Sequence, residues 1–427
     1  MKYSELEYGL IGERLGHSLS REIHQKLSSC AYELCEIPKD ELNLFFSESN
    51  FKGINVTLPY KQSVIPFLDV ISPVVASIGS VNTIIRKKNG LLYGLNTDYP
   101  GFNSLAKHAN IGFSDKNILI YGNGGTAKTV RAVTLAAGAK SVTFAVRKVT
   151  GEEQVAISDL ESNPLLCENK QIIVNATPVG MSPDDEGKIV DPAIFPNLEG
   201  VLDCIYNPLR TNLVLDTHKL GLKAEGGLYM LLVQACFAQE LFKDSVNDPI
   251  YNYEKIESLY YELLRAKENI VLTGMPSSGK STIGAILAER LDRKFFDTDK
   301  MIEDQTGSDI RTIFMEKGEN AFRELEISVV KEVSSLQGAV ISTGGGCVLD
   351  PLNIHRLKRN GRIYLLDRDP NLLTSSVDRP LASDRDQLFD LYAGRRNLYF
   401  DTADAVIDNN TSMEDAVERL VKAHLGF

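Results

Sequence analysis

The sequence predicts an α/β protein with parallel sheets, and three observations support this fold class. Residues 121–127 and 274–282 form two glycine-rich loops, each of which follows an apolar strand and opens a helix. Short apolar runs alternate with segments of helical periodicity along most of the chain, which is typical of α/β proteins. The 427 residues are enough for roughly two to four domains of ~100 to 200 residues each. We therefore expect several α/β domains, with a phosphate-binding loop in two of them.

The predicted elements fall into three groups along the chain. Strands of the first group are predicted at residues 8–11, 53–56 and 81–86. The second group has strands at residues 118–121, 141–146, 172–175 and 200–204 and a helix at residues 127–137, which is the pattern of a dinucleotide-binding fold. Helices are also predicted at residues 225–242 and 253–267, and the third group has strands at residues 269–273 and 294–296 and a helix at residues 281–291. This order predicts a ligand-binding catalytic domain over residues 1–113 completed by helices within residues 225–264, a Rossmann-like domain over residues 114–224, and a P-loop domain over residues 268–427.

Composition and charge argue against several classes of protein. A formal net charge of -11 is unsuited to a general nucleic-acid surface, which depends on clustered Lys and Arg. With 43% apolar and 24% charged residues, no segment approaches the ~18 unbroken apolar residues of a membrane span. Residues 1–8 lack the basic and then apolar pattern of a signal peptide, so we expect a cytoplasmic protein with no membrane or nucleic-acid partner. The six scattered cysteines are then expected to be free thiols.

The first glycine-rich loop predicts a dinucleotide site. Gly122, Gly124 and Gly125 let the backbone approach a pyrophosphate, whose charge is met by the N-terminus of the next helix. An NAD-specific fold has an acidic residue after the following strand, whereas this chain has Arg147 and Lys148, which suit a 2′-phosphate. NADP is therefore favoured over NAD. The alternatives are a glycine turn without a ligand and a solvated pair of loop cations.

Small polar residues lie upstream of this loop at predicted strand ends, in residues 16–20, 53–61, 79–83 and 94–98. Together they suit a polyhydroxylated ligand, and Lys61 with Asp98 can form an acid/base pair whose pKa values are mutually tuned. The simpler alternative for each residue is a surface salt bridge or a turn cap.

Residues 8–264 as a whole resemble shikimate dehydrogenase. The strings Asn175-Ala-Thr-Pro-Val-Gly-Met181, Asp203-Cys-Ile-Tyr-Asn-Pro208 and Gly227-Leu-Tyr-Met-Leu-Leu-Val-Gln234 support the resemblance. It implies reduction of 3-dehydroshikimate with NADPH, in which Lys61 and Asp98 carry catalysis. The residues implied to hold the substrate are Ser18, Ser20, Thr57, Asn82, Asp98, Tyr206 and Gln234. The residues expected to contact NADP are Gly122, Asn123, Gly124, Gly125, Thr126, Arg147, Lys148, Cys204 and Gly227.

Several positions depart from the pattern of that family. Arg14 and Arg21 stand where prolines are usual, and Thr126 stands where alanine is usual. Lys128 replaces an arginine and keeps its charge. Val146 replaces an asparagine that usually precedes the cations, which leaves the strength of the NADP preference open.

The second loop, from Gly274 to Gly279-Lys280-Ser281, is a complete Walker A sequence in the right strand–loop–helix context. Its amides suit the phosphates of a nucleoside triphosphate, Lys280 the outer phosphates and Ser281 a Mg²⁺ ion. Asp297 and Asp299 follow the next predicted strand, where one carboxylate can support metal-bound water and the other can accept a proton. The alternative for these two is a helix N-cap pair.

Residues 269–427 resemble shikimate kinase, because the Walker A loop is followed in order by Asp-x-Asp, Phe322-Arg-x-x-Glu326, Gly344-Gly-Gly346, Arg379-Pro-Leu381 and Arg395-x-x-x-Tyr399. The resemblance puts Asp299, Arg323, Gly345 and Arg395 on shikimate, with Asp299 as the base for the 3-hydroxyl. Arg396 is a rival for Arg395, and the arginine that usually precedes Arg-Pro-Leu and faces adenine is missing. Mg²⁺ is assigned to Ser281 and Asp297, and catalytic help to Lys280. The residues expected to contact ATP are Ser277, Ser278, Gly279, Lys280, Ser281, Thr282 and Arg379.

The product of the first family is the substrate of the second. We therefore expect a bifunctional enzyme of chorismate and aromatic amino-acid biosynthesis that uses NADPH, ATP and Mg²⁺ on small-molecule substrates. One alternative is a non-catalytic sensor built from the same domains. Another is a quinate/shikimate dehydrogenase that works oxidatively with NAD.

Overall fold

A computed structural model describes residues 3–16, 18–244, 251–373 and 385–426. The chain forms two compact units: Met1–Tyr206 with Asp216–Tyr260, and Asn207–Leu215 with Tyr261–Phe427. The predicted domain limits remain predictions. The first compact unit contains most of the first two predicted domains, and residues 207–215, which the prediction assigned to the Rossmann-like domain, belong to the second unit. No helix within the described ranges has the length and apolarity needed to cross a membrane.

The first unit begins with a six-stranded mixed sheet. Its strands are β1 (Tyr8–Gly12), β2 (Tyr32–Glu36), β3 (Gly53–Val56), β4 (Val70–Ile71), β5 (Thr83–Arg86) and β6 (Leu92–Leu95), in the order β2-β1-β3-β5-β6-β4. Its helices are α1 (Ser20–Leu27), α2 (Leu42–Glu48), α3 (Pro73–Ile78) and α4 (Asp98–His108). Strands β1, β2 and β3 run parallel, whereas β5 is antiparallel to both β3 and β6. Strands β1 and β3 lie inside the sheet, where Ile11 and Ile54 are fully buried, whereas β2 forms one edge.

The first unit continues with a second six-stranded sheet that is parallel throughout. Its strands are β7 (Asn117–Tyr121), β8 (Ser141–Val146), β9 (Gln154–Ala156), β10 (Ile172–Asn175), β11 (Gly200–Asp203) and β12 (Lys223–Glu225), in the order β12-β11-β10-β7-β8-β9. Helices α5 (Gly125–Ala136) and α6 (Ile157–Ser162) belong with this sheet. Helix α7 (Asn212–Lys219) spans the division between the units at Leu215 and Asp216, and α8 (Leu228–Phe242) packs against α1 and α4 of the first sheet. The strand order reverses next to β7, and in such sheets the crevice at that point receives the ligand. The glycine-rich loop leaves the C-terminal end of β7 there.

The prediction of a helix from residue 225 was wrong at its start. Glu225 ends strand β12, and Gly226 and Gly227 separate it from α8, which begins at Leu228. Two consecutive glycines disfavour helix continuation, so the backbone cost of ordering them outweighs the apolar periodicity.

The second unit is built on a five-stranded parallel sheet. Its strands are β13 (Asn269–Thr273), β14 (Phe295–Asp297), β15 (Val340–Ser342), β16 (Gly361–Asp367) and β17 (Ala405–Asp408), in the order β14-β15-β13-β16-β17. The helices from α9 onward are α9 (Tyr253–Lys267), α10 (Lys280–Arg290), α11 (Thr298–Thr306), α12 (Ile310–Ser334), α13 (Pro351–Asn360), α14 (Arg385–Thr402) and α15 (Met413–Leu425). Helix α9 spans the division between the units at Tyr260 and Tyr261. The central strand β13 is buried at every position, as expected for a parallel sheet covered on both faces.

Residues 207–215 complete the second unit through Arg210. The Arg210 guanidinium donates to the main-chain oxygens of Lys358 and Gly361 and to Glu268 Oε1, each at 2.8 Å. The Leu209 N–H also donates to Asn360 Oδ1 at 3.0 Å. The segment therefore satisfies polar groups at the end of α13 and the start of β16.

Candidate active sites

Lys61 and Asp98 form a close ion pair in the first unit. Lys61 Nζ lies 2.6 Å from Asp98 Oδ2, and the side chains are only 14% and 10% exposed. Asp98 is the first residue of α4, and its other carboxylate oxygen accepts from Asn82 Nδ2 at 2.9 Å. The pair is therefore shielded from water and oriented on both sides, unlike the surface salt bridge considered from the sequence.

Asn82 belongs to a buried network that joins three predicted substrate residues. Its Nδ2 donates to Thr97 Oγ1 at 3.0 Å, and its Oδ1 accepts from the Thr97 N–H at 2.6 Å. Thr97 Oγ1 donates in turn to Gln234 Oε1 at 3.3 Å. The sequence prediction missed Thr97, which connects Asn82 to Gln234 and directly precedes Asp98.

Close packing of α4 against α8 brings Asp98 and Gln234 near each other. Gly101 on α4 faces α8 so closely that a Cβ there would lie 2.9 Å from Met230 O and 3.2 Å from Gln234 Cβ. Only the absence of a side chain allows this approach. Asp98 and Gln234 therefore lie on two directly packed helices.

The other predicted substrate residues lie near the start of α1 and after strands β3 and β11. Ser18 and Ser20 bracket the start of α1, and the Ser20 N–H donates to Ser18 Oγ at 3.2 Å. Burial raises the pKa of the Tyr206 hydroxyl, and its hydrogen bond with Ser18 partly opposes that rise. Thr57 follows β3, and its N–H donates to Ile11 O. The hydroxyl groups of Ser18 and Tyr206 contact each other, and this arrangement is compatible with both of them binding the substrate.

The glycine-rich loop has the geometry expected for phosphate binding. Gly122 has a φ of 98°, and a Cβ there would lie 3.1 Å from Ala176 O. Gly124 is the N-cap of α5, and among the residues that the structure describes no side chain caps this end, so the first N–H groups are available to an anion. Asn123 is exposed at the tip of the loop, and Thr126 Oγ1 lies 3.5 Å from Lys61 Nζ.

Arg147 and Lys148 are exposed and directly follow β8, the strand that pairs with β7. Within the described ranges neither forms a salt bridge, so both charges remain available to a 2′-phosphate. Cys204 follows β11, and burial together with the charges of Asp203 and Asp98 raises the pKa of its thiol. A Cβ on Gly227 would lie 2.3 Å from Cys204 O, so glycine is required for this approach. The predicted NADP contacts thus lie at the C-terminal ends of β7, β8 and β11.

The Walker A loop of the second unit joins β13 to α10. Gly274 and Gly279 have φ values of 143° and 89°, and Ser277 has a φ of 65°. Lys280 Nζ donates to the carbonyl oxygens of Gly274 and Met275, each at 2.9 Å, and so lies across the loop. Ser277, Gly279, Lys280, Ser281 and Thr282 line a cavity of about 940 Å³. Ser278 is buried, and its carbonyl oxygen accepts from Asn409 Nδ2.

Asp297 and Asp299 have different environments, as their alternation predicts. Asp297 ends β14, caps α11, and accepts from the N–H groups of Asp299 and Lys300 through Oδ1. Asp299 lines the cavity. The oxygen donors of Asp297 and Ser281 are those that Mg²⁺ prefers, and the second carboxylate oxygen of Asp297 suits a metal-bound water. The N-cap interpretation and the metal interpretation are therefore compatible.

Arg323 is held at the cavity wall by two carboxylates of its own helix. Its guanidinium lies 2.9 Å from Glu326 Oε2 and 2.9 Å from Glu319 Oε1. A Cβ on Gly346 would lie 2.1 Å from Arg323 Nη1, so the arginine packs directly on the Gly346 backbone. Glu326 is 1% exposed, lines the cavity, and was not among the predicted site residues. Burial raises its pKa, and the charge of Arg323 opposes this rise.

Arg395 lies in the cavity, whereas its rival Arg396 does not. Arg395 is 7% exposed, lines the cavity, and donates to Gly345 O at 3.1 Å. Arg396 is exposed and its guanidinium lies over the Phe400 ring. Tyr399 also donates to Gly345 O, so this carbonyl is fixed by two groups. Arg379, which the resemblance predicts to contact ATP, lies outside the described residues.

Comparison with known proteins decides the family of the first unit. Shikimate dehydrogenase (NADP(+)) from Clostridium beijerinckii is 38% identical over 251 residues, which are 56% of this chain and 92% of that protein. The chain belongs to the shikimate dehydrogenase family. The family profile of the shikimate dehydrogenase substrate binding domain matches residues 10–84.

Solved structures agree with this assignment. Shikimate dehydrogenase 1 from Peptoclostridium difficile has a TM-score of 0.54 at 33% identity and covers 60% of this chain and 97% of its own. A chorismate mutase/shikimate 5-dehydrogenase fusion protein from Clostridium acetobutylicum has the same TM-score of 0.54 at 30% identity, covering 62% of this chain and 97% of its own.

The second unit carries a different domain. The shikimate kinase family profile matches residues 276–424. The shikimate dehydrogenase region is therefore followed by a shikimate kinase domain in one chain, as the motifs predicted. Both resemblances and the α/β fold class are confirmed.

Proposed function

We propose that the chain catalyses two consecutive reactions. The dehydrogenase unit reduces 3-dehydroshikimate to shikimate with NADPH, and the kinase unit transfers the γ-phosphoryl group of ATP to the 3-hydroxyl of shikimate. The observation that carries the first reaction is the buried Lys61–Asp98 pair, 2.6 Å apart, beside an uncapped glycine-rich loop. The NADP(+) in the names of the relatives and the exposed Arg147 and Lys148 support the choice of cofactor.

In the first reaction NADPH, when bound, supplies the hydride that converts the ring ketone to an alcohol. Lys61 donates the proton that the carbonyl oxygen needs, and its charge stabilises the negative charge that develops there. Asp98 orients the lysine, and Asn82 holds Asp98 through its other oxygen. Ser18, Thr57, Tyr206 and Gln234 are proposed to hold the substrate carboxylate and hydroxyls.

In the second reaction Asp299 accepts the proton of the 3-hydroxyl, and Arg323 and Arg395 bind the shikimate carboxylate as bidentate donors. The backbone of residues 277–282 and Lys280 bind the phosphates of ATP. Ser281 and Asp297 are proposed to hold Mg²⁺, which would neutralise phosphate charge during transfer. Of the residues named here, all except Ser278 and Asp297 line the same 940 Å³ cavity.

The test is to incubate the full chain with 3-dehydroshikimate, NADPH, ATP and Mg²⁺, to omit each in turn, and to identify the products by mass. Shikimate 3-phosphate that requires all four is the expected result. Two further assays test the oxidative NAD-linked alternative: reduction of 3-dehydroshikimate with NADH in place of NADPH, and oxidation of shikimate with NAD⁺ in place of NADP⁺. Tight binding of 3-dehydroshikimate and ATP without any turnover would contradict the proposal and favour the sensor.

A further inference from the structure

Lys61 has a second partner besides Asp98. Its Nζ donates to Thr126 Oγ1 at 3.5 Å, across 65 residues of sequence. A lysine ammonium is a point charge on a flexible four-carbon stem with three donors, so a single carboxylate partner leaves its direction loosely defined. Two partners on different elements fix two N–H directions. The third remains for a reacting oxygen.

The backbone around Thr126 packs against the lysine stem. A Cβ on Gly125 would lie 3.6 Å from Lys61 Cδ and 2.6 Å from Ser80 Oγ, so the start of α5 directly faces the lysine. The Lys61 backbone is held as well, because its carbonyl accepts from the Val81 N–H at 2.8 Å. The contact between Thr126 and Lys61 is therefore built into two packed segments rather than depending on one free side chain.

Thr126 lies in the loop that the proposed cofactor occupies. It is the second residue of α5, which starts at Gly125. A hydroxyl at this place has two possible targets: the lysine or a phosphate of the cofactor. Within the described residues its hydroxyl contacts the ammonium of Lys61.

We propose that Thr126 is a positioning residue for Lys61, which holds the ammonium between Asp98 and the cofactor loop and so links correct placement of that loop to protonation of the substrate. This inference rests on the proposed dehydrogenase function. The hydroxyl acts on the lysine, and its loss therefore changes turnover rather than cofactor affinity.

The test compares Thr126→Val, which keeps the shape and removes the hydroxyl, with Thr126→Ser, which keeps the hydroxyl. In the full chain we expect Thr126→Val to lower kcat for 3-dehydroshikimate about three- to tenfold, because the contact is a long hydrogen bond to a charged group. The KM for NADPH should stay within about twofold. Thr126→Ser should restore most of kcat.

Two results would overturn the inference. A raised KM for NADPH with unchanged kcat would show that the hydroxyl serves the cofactor. A Thr126→Val protein with normal kcat beside a slow Thr126→Ser protein would show that the methyl group, through packing, is what matters.

A readout independent of turnover separates this inference from the proposed reaction. Nitrogen-15 spectra of the lysine ammonium groups, assigned with Lys61→Ala, should show a protected Lys61 signal that Thr126→Val loses and Thr126→Ser retains. If the wild-type chain reduces no 3-dehydroshikimate but this signal behaves as expected, the proposed reaction fails and the positioning role stands. If Thr126→Val leaves the signal unchanged, the positioning role fails.

Discussion

Lys61 and Lys280 carry the same ammonium group in contrasting surroundings. Lys61 faces a carboxylate, whereas Lys280 lies 2.9 Å from two carbonyl oxygens of its own loop. The first arrangement suits proton donation to a reacting oxygen, and the second presents a charge to phosphates.

We predict that Lys61→Ala lowers ketone reduction at least about 100-fold and leaves shikimate phosphorylation unchanged, and that Lys280→Ala does the reverse. Both rates are measured on the full chain, with Lys52→Ala as a control because that lysine is exposed and forms a surface ion pair with Glu7. If either substitution stopped both reactions in a folded protein, the model of two independent sites would be wrong.

His24 is a second residue whose surroundings predict a measurable property. It is fully buried, stacks on Tyr32, and accepts from Gln239 Nε2 at Nδ1. Burial lowers the pKa of His24 to about 3. Because the unfolded chain binds a proton near pH 6.5 and the folded chain does not, stability is retained above pH 6.5 and lost as the pH falls towards 3.

We expect acidification from pH 6.5 to pH 5 to lower the free energy of unfolding of the first unit by about 2 kcal/mol through His24. His24→Phe keeps the stacked ring and should reduce this loss. Urea unfolding at both pH values, followed by dehydrogenase activity, measures it. His424, whose pKa burial lowers to about 4, belongs to the second unit and serves as an internal control, because its effect should be unchanged. An unaltered pH dependence in His24→Phe would contradict the assignment.

Local motifs led to residues that the structure brings together: Lys61 pairs with Asp98, and Asp299 and Arg395 line one cavity. Their roles stay predictions. Thr97 was missed because its role depends on a contact with Gln234, 137 residues away. Glu326 had a usable signal, since it lies three residues after Arg323 on one helix face, and such pairs interact.

At the scale of elements, the contact between α4 and α8 sets the geometry of the dehydrogenase site. Helical periodicity predicted a helix near α8, but it contained no information about which helix packs against it. Gly101 permits the short distance between the two helices, and this role depends on contacts with Met230 and Gln234 that are distant in sequence.

We predict that Gly101→Ala lowers dehydrogenase activity and destabilises the first unit by about 1–3 kcal/mol, because the added Cβ must push α8 away from Asp98. Gly112→Ala is the matched control, since a Cβ there meets nothing within 4 Å. Steady-state rates of both reactions and urea unfolding of the full chain measure the effect. Equal behaviour of the two variants would show that the helices can separate without cost to the site.

At the scale of the whole molecule, the sequence correctly predicted a shikimate dehydrogenase region followed by a shikimate kinase domain, whereas the domain limits stay predictions. The boundary near residues 266–269 was inferred from a helix end and a new strand. Nothing local to residues 207–215 signals that Arg210 pairs with Glu268, because this pairing depends on the folded surface of the second unit.

We predict that Arg210→Ala destabilises the second unit by about 2–4 kcal/mol, because it leaves the buried Glu268 and two carbonyl oxygens without their partner. Heating the full chain and assaying both activities should show earlier loss of the kinase reaction. Arg290→Ala, which removes an exposed pair with Glu414, should change the kinase midpoint little. Parallel loss of both activities in Arg210→Ala would contradict a local role.

The pairing of residues 207–215 with residues 261–427 has a consequence for biosynthesis of the chain. Residues 207–215 are synthesised well before the P-loop sheet can form. Another 45 residues, Asp216–Tyr260, follow them before the rest of the second unit is translated. Arg210 therefore cannot form its hydrogen bonds with Glu268, Lys358 and Gly361 until most of the second unit has been translated. We expect the kinase to reach its final stability only after the chain is released, whereas a simple tandem fusion would mature one domain at a time.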